Sequence, residues 1–545
     1  MPAETRGFDY VVVGAGSAGC VVANRLSADP GARVALIEAG ASDRSFPLSL
    51  KTALPIGNVF LLSDTRYNWN YTYTDPKDNT GREIPCPRGR LFGGCSSVNG
   101  TVYMRGHPTD YDDWLAAGNE GWGYADVLAA YKAQENWHGP APSPYHGTGG
   151  ELDVGGLRAP NPIAPALVEA ARRAGHAPNE DFNGATQDGF GLLPLNQRNG
   201  VRLSASRAFL HPALNRRNLT VFADAMVERV DLKGSRAVGL TVVRGGERVS
   251  LTASREVILS AGTVNSPQIL MLSGIGPEQA LRRHGIPVLH DLPGVGRNLH
   301  DHPAVTLAVD DPSCTAYALS RRSWPRVAAS PLRYAVARSG LLASNAAEAG
   351  GFVRTLQGLT RPDVQMTLVV GLKQSARVVP KRHGFVLLVN ICRPLGRGHL
   401  ALRSADPRDP PLLRHGFLDH DADIATLVRG LREARRIVAQ PAMSRFVGAE
   451  IAPGAELASD EELAAAVRET VATVYHPVGT CRMGPSEDGL AVVDARLRVH
   501  GIEGLRVADA SIMPSIVGGN TSAPAMMIGE RAAAFARAEA EMAVG

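Results

Sequence analysis

The sequence predicts an α/β fold, and its first unit is a complete βαβ motif between Phe8 and Gly40. The apolar run from Phe8 to Val13 is typical of a buried parallel strand, and Gly19 to Leu26 has helical character. Val34 to Ile37 is a second apolar run of strand length. A strand, a helix and a strand in this order build a parallel sheet.

The turn between the first strand and the helix is rich in glycine. Gly14, Gly16 and Gly19, with Ser17 among them, let the backbone approach a pyrophosphate at the positive N-terminus of the helix. Glu38 follows nineteen positions after Gly19, where an acid accepts hydrogen bonds from ribose hydroxyls. The unit therefore predicts dinucleotide binding, and the motif alone does not choose between NAD and FAD.

Length and composition describe a two-domain globular enzyme. The chain has 545 residues, of which 44% are hydrophobic and 20% charged. This length exceeds what one ordinary core supports. Lys and Arg number 57 against 53 Asp and Glu, a net charge of +4, which argues against nucleic acid as a partner.

Cysteine use and hydropathy predict a cytoplasmic protein. The six cysteines have no CxxC spacing, so they form neither a disulfide framework nor a metal motif. Residues 1–7 lack the pattern of a signal peptide. No run reaches the roughly 18–20 apolar residues of a membrane-spanning helix, and membrane association is not expected.

Two stretches after the βαβ unit have distinctive patterns. Arg66 to Thr74 is rich in aromatic and β-branched residues and predicts a strand. Arg88 to Gly106, RGRLFGGCSSVNGTVYMRG, combines adjacent glycines, small residues and an asparagine between apolar flanks. Such a segment lies flat against a ligand.

The second stretch resembles the first signature of the glucose-methanol-choline (GMC) oxidoreductases, flavoenzymes that oxidise alcohols. Gly262 to Gly276 resembles the second signature, and Leu292 to Pro303, LPGVGRNLHDHP, is also typical of the family. The run from Tyr475 to Glu530 completes a resemblance that covers nearly the whole chain and is choline-dehydrogenase-like.

The resemblance implies a specific architecture. A discontinuous Rossmann-like FAD-binding domain would comprise residues 1–150, 205–310 and 485–545. An α+β substrate domain with an antiparallel sheet would comprise residues 151–204 and 311–484. The expected enzyme is an FAD-dependent oxidoreductase that converts a primary alcohol to an aldehyde.

Oxidation of an alcohol needs a base for the hydroxyl proton and a donor for the developing alkoxide. The family pattern implies His476, in TVYHPVGTCRMG, as the base and Asn520, in SIVGGNTSAPAMMIGE, as its partner. An asparagine amide donates to oxygen and does not compete as a base.

Further FAD contacts are implied by the resemblance. Trp69 and Val227 resemble residues on the adenine side. The remaining residues resemble those beside the flavin, the ribityl chain and the pyrophosphate: Asn99, Gly100, Val102, Asp509, Asn520 and Thr521. Some relatives carry a histidine that is covalently attached to FAD where this chain has Val98, so the FAD is expected to be non-covalent.

Glu348, in NAAEAGGFVRT, is a weaker candidate. The resemblance places its loop over the substrate cavity, where an acid could hold a cationic alcohol. A buried carboxylate needs a partner. An internal arginine or a backbone amide would equally satisfy it.

Two charged stretches invite functional interpretation. Asp419, Asp421 and Asp423 alternate as in a calcium loop, but the glycine and glutamate of an EF-hand are missing. We therefore expect them at a helix N-terminus and predict no metal site. Five arginines between Arg321 and Arg338 lie among apolar residues; a solvated basic face is favoured over a lid or a membrane-surface helix.

Several functional alternatives stay open at this stage. A hydroxynitrile lyase that retains FAD without redox turnover, or a non-catalytic flavin-binding protein, would share the same motifs. The alcohol is not identified. Oxygen or another electron acceptor would reoxidise the flavin.

Overall fold

The structure is a computed structural model that describes residues 5–74, 81–140, 143–372 and 381–542. Its strands, in chain order, are β1 (Thr5–Val13), β2 (Val34–Ile37), β3 (Tyr71–Tyr73), β4 (Ile84–Cys86), β5 (Glu135–Trp137), β6 (Leu152–Val154), β7 (Gly189–Leu192), β8 (Gln197–Arg198), β9 (Val201–Arg202), β10 (Leu219–Phe222), β11 (Ala225–Lys233), β12 (Arg236–Arg244), β13 (Glu247–Leu259), β14 (Ile275–Gly276), β15 (His290–Asp291), β16 (Pro303–Asp310), β17 (Ala347–Val353), β18 (Val364–Val369), β19 (Gly384–Ile391), β20 (His399–Ala401), β21 (Leu412–Arg414), β22 (Glu450–Ala452), β23 (Ala472–Thr473) and β24 (Leu505–Val507).

The α-helices, in chain order, are α1 (Ser17–Leu26), α2 (Leu48–Ala53), α3 (Asn58–Leu61), α4 (Pro108–Ala116), α5 (Tyr124–Gln134), α6 (Ile163–Arg173), α7 (His211–Ala213), α8 (Gly262–Leu272), α9 (Glu278–Arg283), α10 (Trp324–Ala337), α11 (Asp421–Val438), α12 (Asp460–Thr470) and α13 (Ser522–Met542). Short 3₁₀ turns lie at Pro55–Gly57, Gly94–Ser97, Leu341–Ala343, Pro441–Met443 and Ala510–Ile512, and one π-helical turn lies at Ser206–Leu210.

The first sheet confirms the predicted βαβ unit. Its strand order is β10-β2-β1-β13-β12-β11, with β24 added to β13. Strand β1 pairs in parallel with both β2 and β13, and β12 continues the sheet antiparallel to β13. All four residues of β2 are buried, as expected of a strand covered on both faces. Helices α1 and α13 pack against each other.

The second sheet is antiparallel, with the order β22-β16-β19-β18-β17-β7 and β23 on β16. Helices α6, α11 and α12 bury apolar side chains in the same core as this sheet. Helix α11 begins at Asp421, and buried Asp423 accepts hydrogen bonds from the backbone N–H groups of Leu395 and Gly396. The α/β class with an antiparallel second sheet is confirmed.

Some segments pair with strands from outside the domain in which the resemblance places them. Strand β16 lies within residues 205–310 of the expected FAD-binding domain and pairs with β19 of the antiparallel sheet. Strands β20 and β21 form a four-stranded sheet with β3 and β4. Leu413 of β21 packs in the same hydrophobic core as β1 and β2, although the resemblance places residues 311–484 in the substrate domain. An apolar pattern shows that a strand is buried but not which core buries it. The predicted domain parts at residues 1–4, 75–80, 141–142, 373–380 and 543–545 lie outside the described residues.

The predicted strand from Arg66 to Thr74 is largely wrong, because only Tyr71–Tyr73 is extended. Asn70 has a φ of 51°, and its backbone N–H donates to the side chain of Asn68. Asparagine adopts this left-handed conformation more readily than β-branched residues. The local turn therefore overrides the aromatic pattern.

One large cavity lies between the two sheets. The carboxyl end of the parallel strands contributes Val13 and Ile37, and the antiparallel sheet contributes Gln365 and Asn390. Ligands of open α/β sheets bind at the carboxyl ends of the strands. The fold therefore brings a dinucleotide-binding edge and a second, independent sheet face to the same cavity.

We predict that Gly19→Ala destabilises the fold. A Cβ at this position would lie 1.9 Å from the carbonyl oxygen of Gly14, in the turn between β1 and α1. Overpacking of this kind costs about 1–3 kcal/mol. A lowered thermal unfolding midpoint would show it. Gly156→Ala is the matched control, because no atom lies within 4 Å of its added Cβ. Equal midpoints for the two variants would contradict the prediction.

Candidate active site

The glycine-rich turn forms a cradle without side chains at one end of the cavity. Gly14 has a φ of 94°, and a Cβ there would lie 2.5 Å from the carbonyl oxygen of Ser260. Gly94 approaches so closely that a Cβ would lie 2.9 Å from the Cα of Gly16. Helix α1 begins directly behind this cradle and has no side-chain cap. An anion placed there meets free N–H groups and the positive end of the helix.

Glu38 closes the next part of the cavity, at the end of β2. Its carboxylate accepts hydrogen bonds from the backbone N–H groups of Ala15 and Gly40, each at 2.9 Å. Burial raises the pKa of Glu38 to about 7, although these two donors oppose the shift. Each carboxylate oxygen has a second lone pair. Glu38 thus retains acceptor capacity for a ribose hydroxyl.

Most of the predicted cofactor residues line the same cavity: Gly14, Gly16, Ser17, Glu38, Trp69, Asn99, Gly100, Val102, Val227, Asp509, Asn520 and Thr521. Gly19 serves packing between the turn and α1. Asp509 accepts from Gly262 N–H, the Ser266 hydroxyl and Ser511 N–H, so it also caps the following 3₁₀ turn. Val98 lines the cavity as a buried apolar residue.

These residues fit FAD. The cavity volume is about 1520 Å³, well above the ~300–1,000 Å³ of ordinary ligand pockets. It has room for a dinucleotide and a small substrate together. The bare cradle suits a pyrophosphate, and Glu38 suits a ribose, as the sequence predicted.

Asp301 is a site residue that the sequence analysis did not single out. Its carboxylate accepts from the backbone N–H groups of His302 at 2.7 Å and His476 at 2.8 Å. The hydroxyls of Tyr73 and Thr473 donate to its other oxygen. Burial raises the pKa of Asp301, and the Thr473 hydroxyl, the Arg88 cation, the His476 N–H and the Tyr73 hydroxyl oppose the shift. One carboxylate thus holds the backbone of both histidines.

His302 determines which nitrogen of His476 carries a proton. The Nε2 atom of His302 lies 3.1 Å from each of two carbonyl oxygens, those of Cys392 and Val517. Carbonyl oxygens only accept, so His302 Nε2 is the protonated nitrogen. Burial lowers the pKa of His302 to about 4, which keeps the ring neutral. Its Nδ1 is therefore an acceptor.

The opposing nitrogen is His476 Nδ1, at 3.0 Å. Because His302 Nδ1 accepts, His476 Nδ1 carries the proton and donates. The other ring nitrogen, His476 Nε2, is therefore unprotonated and acts as an acceptor. Burial lowers the pKa of His476 well below its ordinary value, and the neighbouring His302 and Arg88 add to the effect. His476 is therefore a neutral base at neutral pH.

Asn520 contacts His476, and both residues line the cavity. Its side-chain Nδ2 donates to His476 Nε2 at 3.2 Å, although the two residues are 44 positions apart. Its Oδ1 accepts from Gln365 Nε2 at 3.3 Å, which orients the amide. The predicted pair is thus brought together. A hydroxyl between them would contact one acceptor and one donor.

Glu348 is not among the described residues that line the cavity. The hydroxyls of Tyr317 and Ser344 donate to one of its oxygens, and Asn161 N–H donates to the other. Burial raises the pKa of its carboxyl. These donors satisfy the acid, which favours a structural role over a cation anchor.

Sequence reasoning missed Asp301 and His302 although both lie in the motif LPGVGRNLHDHP. The signal was present as an unusual pair of histidines around an aspartate. Nothing in the sequence indicated that this segment would contact His476, 174 residues later. Among the described residues, no group of three His, Cys, Asp or Glu could hold a metal ion.

Comparison with known proteins agrees with this geometry. The N-terminal GMC oxidoreductase family model matches residues 8–304, and the C-terminal one matches residues 394–529. The chain is 42% identical to an alcohol dehydrogenase (acceptor) of Pseudomonas putida over 539 residues, covering 98% of this chain and 97% of the relative. It is also 42% identical to the mitochondrial choline dehydrogenase of Homo sapiens, covering 96% and 89%.

Solved structures of similar shape cover nearly all of the chain. Pyridoxine 4-oxidase from Mesorbium loti superposes with a TM-score of 0.85 at 31% identity, covering 98% of this chain and 99% of that one. A variant of formate oxidase from Aspergillus oryzae RIB40, studied for FAD modification, superposes with a TM-score of 0.90 at 28% identity, covering 98% and 99%. The cradle, the paired histidine and asparagine and these similarities agree: the chain belongs to the glucose-methanol-choline family of FAD-dependent oxidoreductases.

Proposed function

We propose that this protein oxidises a primary alcohol to the aldehyde, with His476 as the base. The observation that supports this most directly is the unprotonated His476 Nε2, whose lone pair faces the Asn520 amide at the cavity wall. A hydroxynitrile lyase would also need a base. A non-catalytic flavin protein would need neither the fixed tautomer nor the paired amide.

The proposed reaction moves one proton and one hydride. His476 Nε2 takes the proton of the alcohol hydroxyl. The carbon that bears this hydroxyl loses a hydride, and the carbonyl forms. Asn520 Nδ2 donates to the oxygen as negative charge develops on it. When bound, FAD accepts the hydride, which is the chemistry the protein itself cannot supply. Oxygen or another acceptor takes the two electrons afterwards.

The proton on His476 has a defined place to reside. Uptake at Nε2 makes the ring an imidazolium, whose Nδ1–H still donates to His302 Nδ1. The pair sits near the Arg88 cation, which together with burial disfavours the charged ring. A base with a depressed pKa returns its proton readily, so the site resets after each turnover.

The cavity favours a neutral, largely apolar alcohol. The antiparallel sheet and its neighbourhood contribute small and branched apolar side chains to the cavity wall: Ala308, Val369, Val386, Leu388, Ile451 and Val474. The acids among the described lining residues are Glu38 and Asp509, and both belong to the cofactor cradle. A quaternary ammonium group would find no carboxylate there to pair with.

The first test is a panel of alcohols mixed anaerobically with purified protein. Because Val98 offers no nucleophile, we propose that FAD is non-covalent, and acid precipitation should release the yellow colour into the supernatant. Neutral primary alcohols should then bleach the flavin absorption faster than choline does, because no acid pairs with the cation. Faster bleaching by choline would overturn the substrate class. Cleavage of a cyanohydrin without any bleaching would favour the lyase.

The second prediction concerns the base. His476→Ala should slow anaerobic flavin reduction by roughly 10²–10⁴-fold, the usual contribution of a positioned base. The parent needs neutral His476, whose pKa is lowered, so its reduction rate should fall only below the ordinary histidine range of about 6.5. This acid limb should vanish in the variant.

The control for His476→Ala is its FAD content. This should be unchanged, because the His476 imidazole is not part of the glycine cradle expected to bind the cofactor. Asn520→Ala should cost about 3 kcal/mol, near 10²-fold, as an oxyanion donor does. Since both side chains meet one oxygen, the double variant should lose less than the product of the single losses. Near-parental reduction by His476→Ala would show that the base is assigned wrongly.

The third prediction concerns His302 as a positioning residue. His302→Leu removes the acceptor that holds the proton on His476 Nδ1 and leaves two carbonyl oxygens without their donor. Reduction should slow, and the acid limb of its pH profile should move. His302→Asn can accept from His476 with Oδ1 and donate with Nδ2, so it should recover part of the rate. Equal rates for the two variants would mean that packing alone explains the residue.

A further inference from the structure

Two segments beside the cavity carry positive charge and no acid. Residues 44–63 contain Arg44 and Lys51, and residues 312–347 contain five arginines, Arg321, Arg322, Arg326, Arg333 and Arg338. Neither segment contains an aspartate or a glutamate. The two segments contact each other through the 3₁₀ turns at Pro55–Gly57 and Leu341–Ala343, and the second turn also contacts α10.

The same segments expose apolar side chains. Seventeen large apolar side chains are exposed in the part of the chain that the structure describes, and eight of them lie in these two segments: Phe46, Leu50, Val59, Phe60, Leu319, Trp324, Leu332 and Val336. The segments make up about a tenth of the chain. Exposed apolar residues scattered singly need no explanation, but such a concentration marks an interaction surface.

Helix α10 has its apolar stripe on the outside. Leu332 lies eight positions after Trp324 and Val336 four positions after Leu332, which places the three on one side of the helix, and they are 60%, 70% and 80% exposed. The buried residues of α10 are Ser330 and Tyr334, on the other side. An ordinary surface helix of a globular protein turns its apolar stripe to the core. Helix α10 does the reverse.

This exposed stripe adjoins the mouth of the active-site cavity. Val59, Phe60 and Leu319 are exposed and also line the cavity, so they mark its opening. Val327 of α10 and Leu341 and Leu342 of the following turn line the cavity from the inside. Part of the opening is therefore lined by apolar side chains of the two segments that carry the arginines.

We propose that residues 44–63 and 312–347 form a docking surface for an anionic phospholipid membrane. An interfacial helix lies in the membrane plane with its apolar face among the acyl chains, tryptophan at the boundary and basic residues toward the headgroups. Helix α10 with its flanking arginines has this arrangement. None of the described helices is long and apolar enough to cross a membrane. The contact is thus peripheral, and it directs the cavity opening toward the lipid.

This inference does not rest on the proposed reaction, because membrane binding is measured without turnover. The test is co-sedimentation of the full-length, FAD-loaded protein with vesicles of equal parts phosphatidylglycerol and phosphatidylcholine at low ionic strength. Vesicles of phosphatidylcholine alone are the comparison. We expect binding to the anionic vesicles only, because the two segments carry seven basic residues and no acid of their own, and among the seven Lys51 pairs with Asp64 just beyond the first segment.

Two double variants separate the apolar and electrostatic parts. Leu332→Ser with Val336→Ser should weaken vesicle binding at least about tenfold, because burial of each side chain contributes more than 1 kcal/mol. Arg321→Gln with Arg322→Gln should weaken it roughly 30-fold, at about 1 kcal/mol per arginine near an anionic surface. Oxidation of a water-soluble alcohol should be unchanged in both, because none of these four residues lines the cavity.

Matched controls use exposed residues elsewhere. Leu289→Ser with Leu490→Ser removes two exposed apolar side chains, and Arg217→Gln with Arg283→Gln removes two exposed charges. Both controls should bind vesicles as the parent does. Failure of the parent to bind anionic vesicles, or equal losses in the controls, would overturn the proposal. So would a dimer in light scattering that the Leu332→Ser, Val336→Ser variant dissociates, since a second copy would then cover the face.

Discussion

The active site depends on one buried carboxylate, that of Asp301. Four donors converge on it, and two of them are the backbone N–H groups of His302 and His476. A buried charge without such partners would cost several kcal/mol. Here the donors that stabilise the buried carboxylate include the backbone N–H groups of both histidines. Burial of Asp301 therefore also fixes the positions of His302 and His476. The hydroxyls of Tyr73 and Thr473 complete the set.

The two sheets contribute different parts of the site. The parallel sheet presents strand ends and a glycine cradle, which suit a dinucleotide whatever the substrate is. The antiparallel sheet supplies Gln365, which orients Asn520, and an apolar wall for the alcohol. His302 lies directly before β16 and His476 three residues after the end of β23, and these two strands pair in that sheet. The register of these strands therefore sets the distance between the two rings.

The protonation states of His302 and His476 follow from their burial. Burial lowers the pKa of both His302 and His476, and a nearby cation adds to the effect in each case, Arg393 for His302 and Arg88 for His476, so both rings are held neutral. A neutral pair allows a chain of defined hydrogen bonds, from the carbonyl oxygens through His302 to His476. That chain fixes one tautomer, and the lone pair it leaves on His476 Nε2 faces Asn520. The chemistry of the site is thus decided by groups that do not touch the substrate.

The sequence by itself determined the βαβ unit, the glycine cradle and Glu38, because these depend on local backbone needs, and the resemblance to a family implied the pairing of His476 with Asn520. The sequence did not determine which sheets β16 and β20 join, since hydropathy shows that a strand is buried but not in which core. The contact of His302 with His476 spans 174 residues and exists only after two strands pair. Likewise, the pattern of α10 is that of an amphipathic helix, but only packing around Ser330 and Tyr334 turned its apolar stripe outward. Tertiary structure decided these points, because which side of a helix or strand is buried depends on the elements that pack against it.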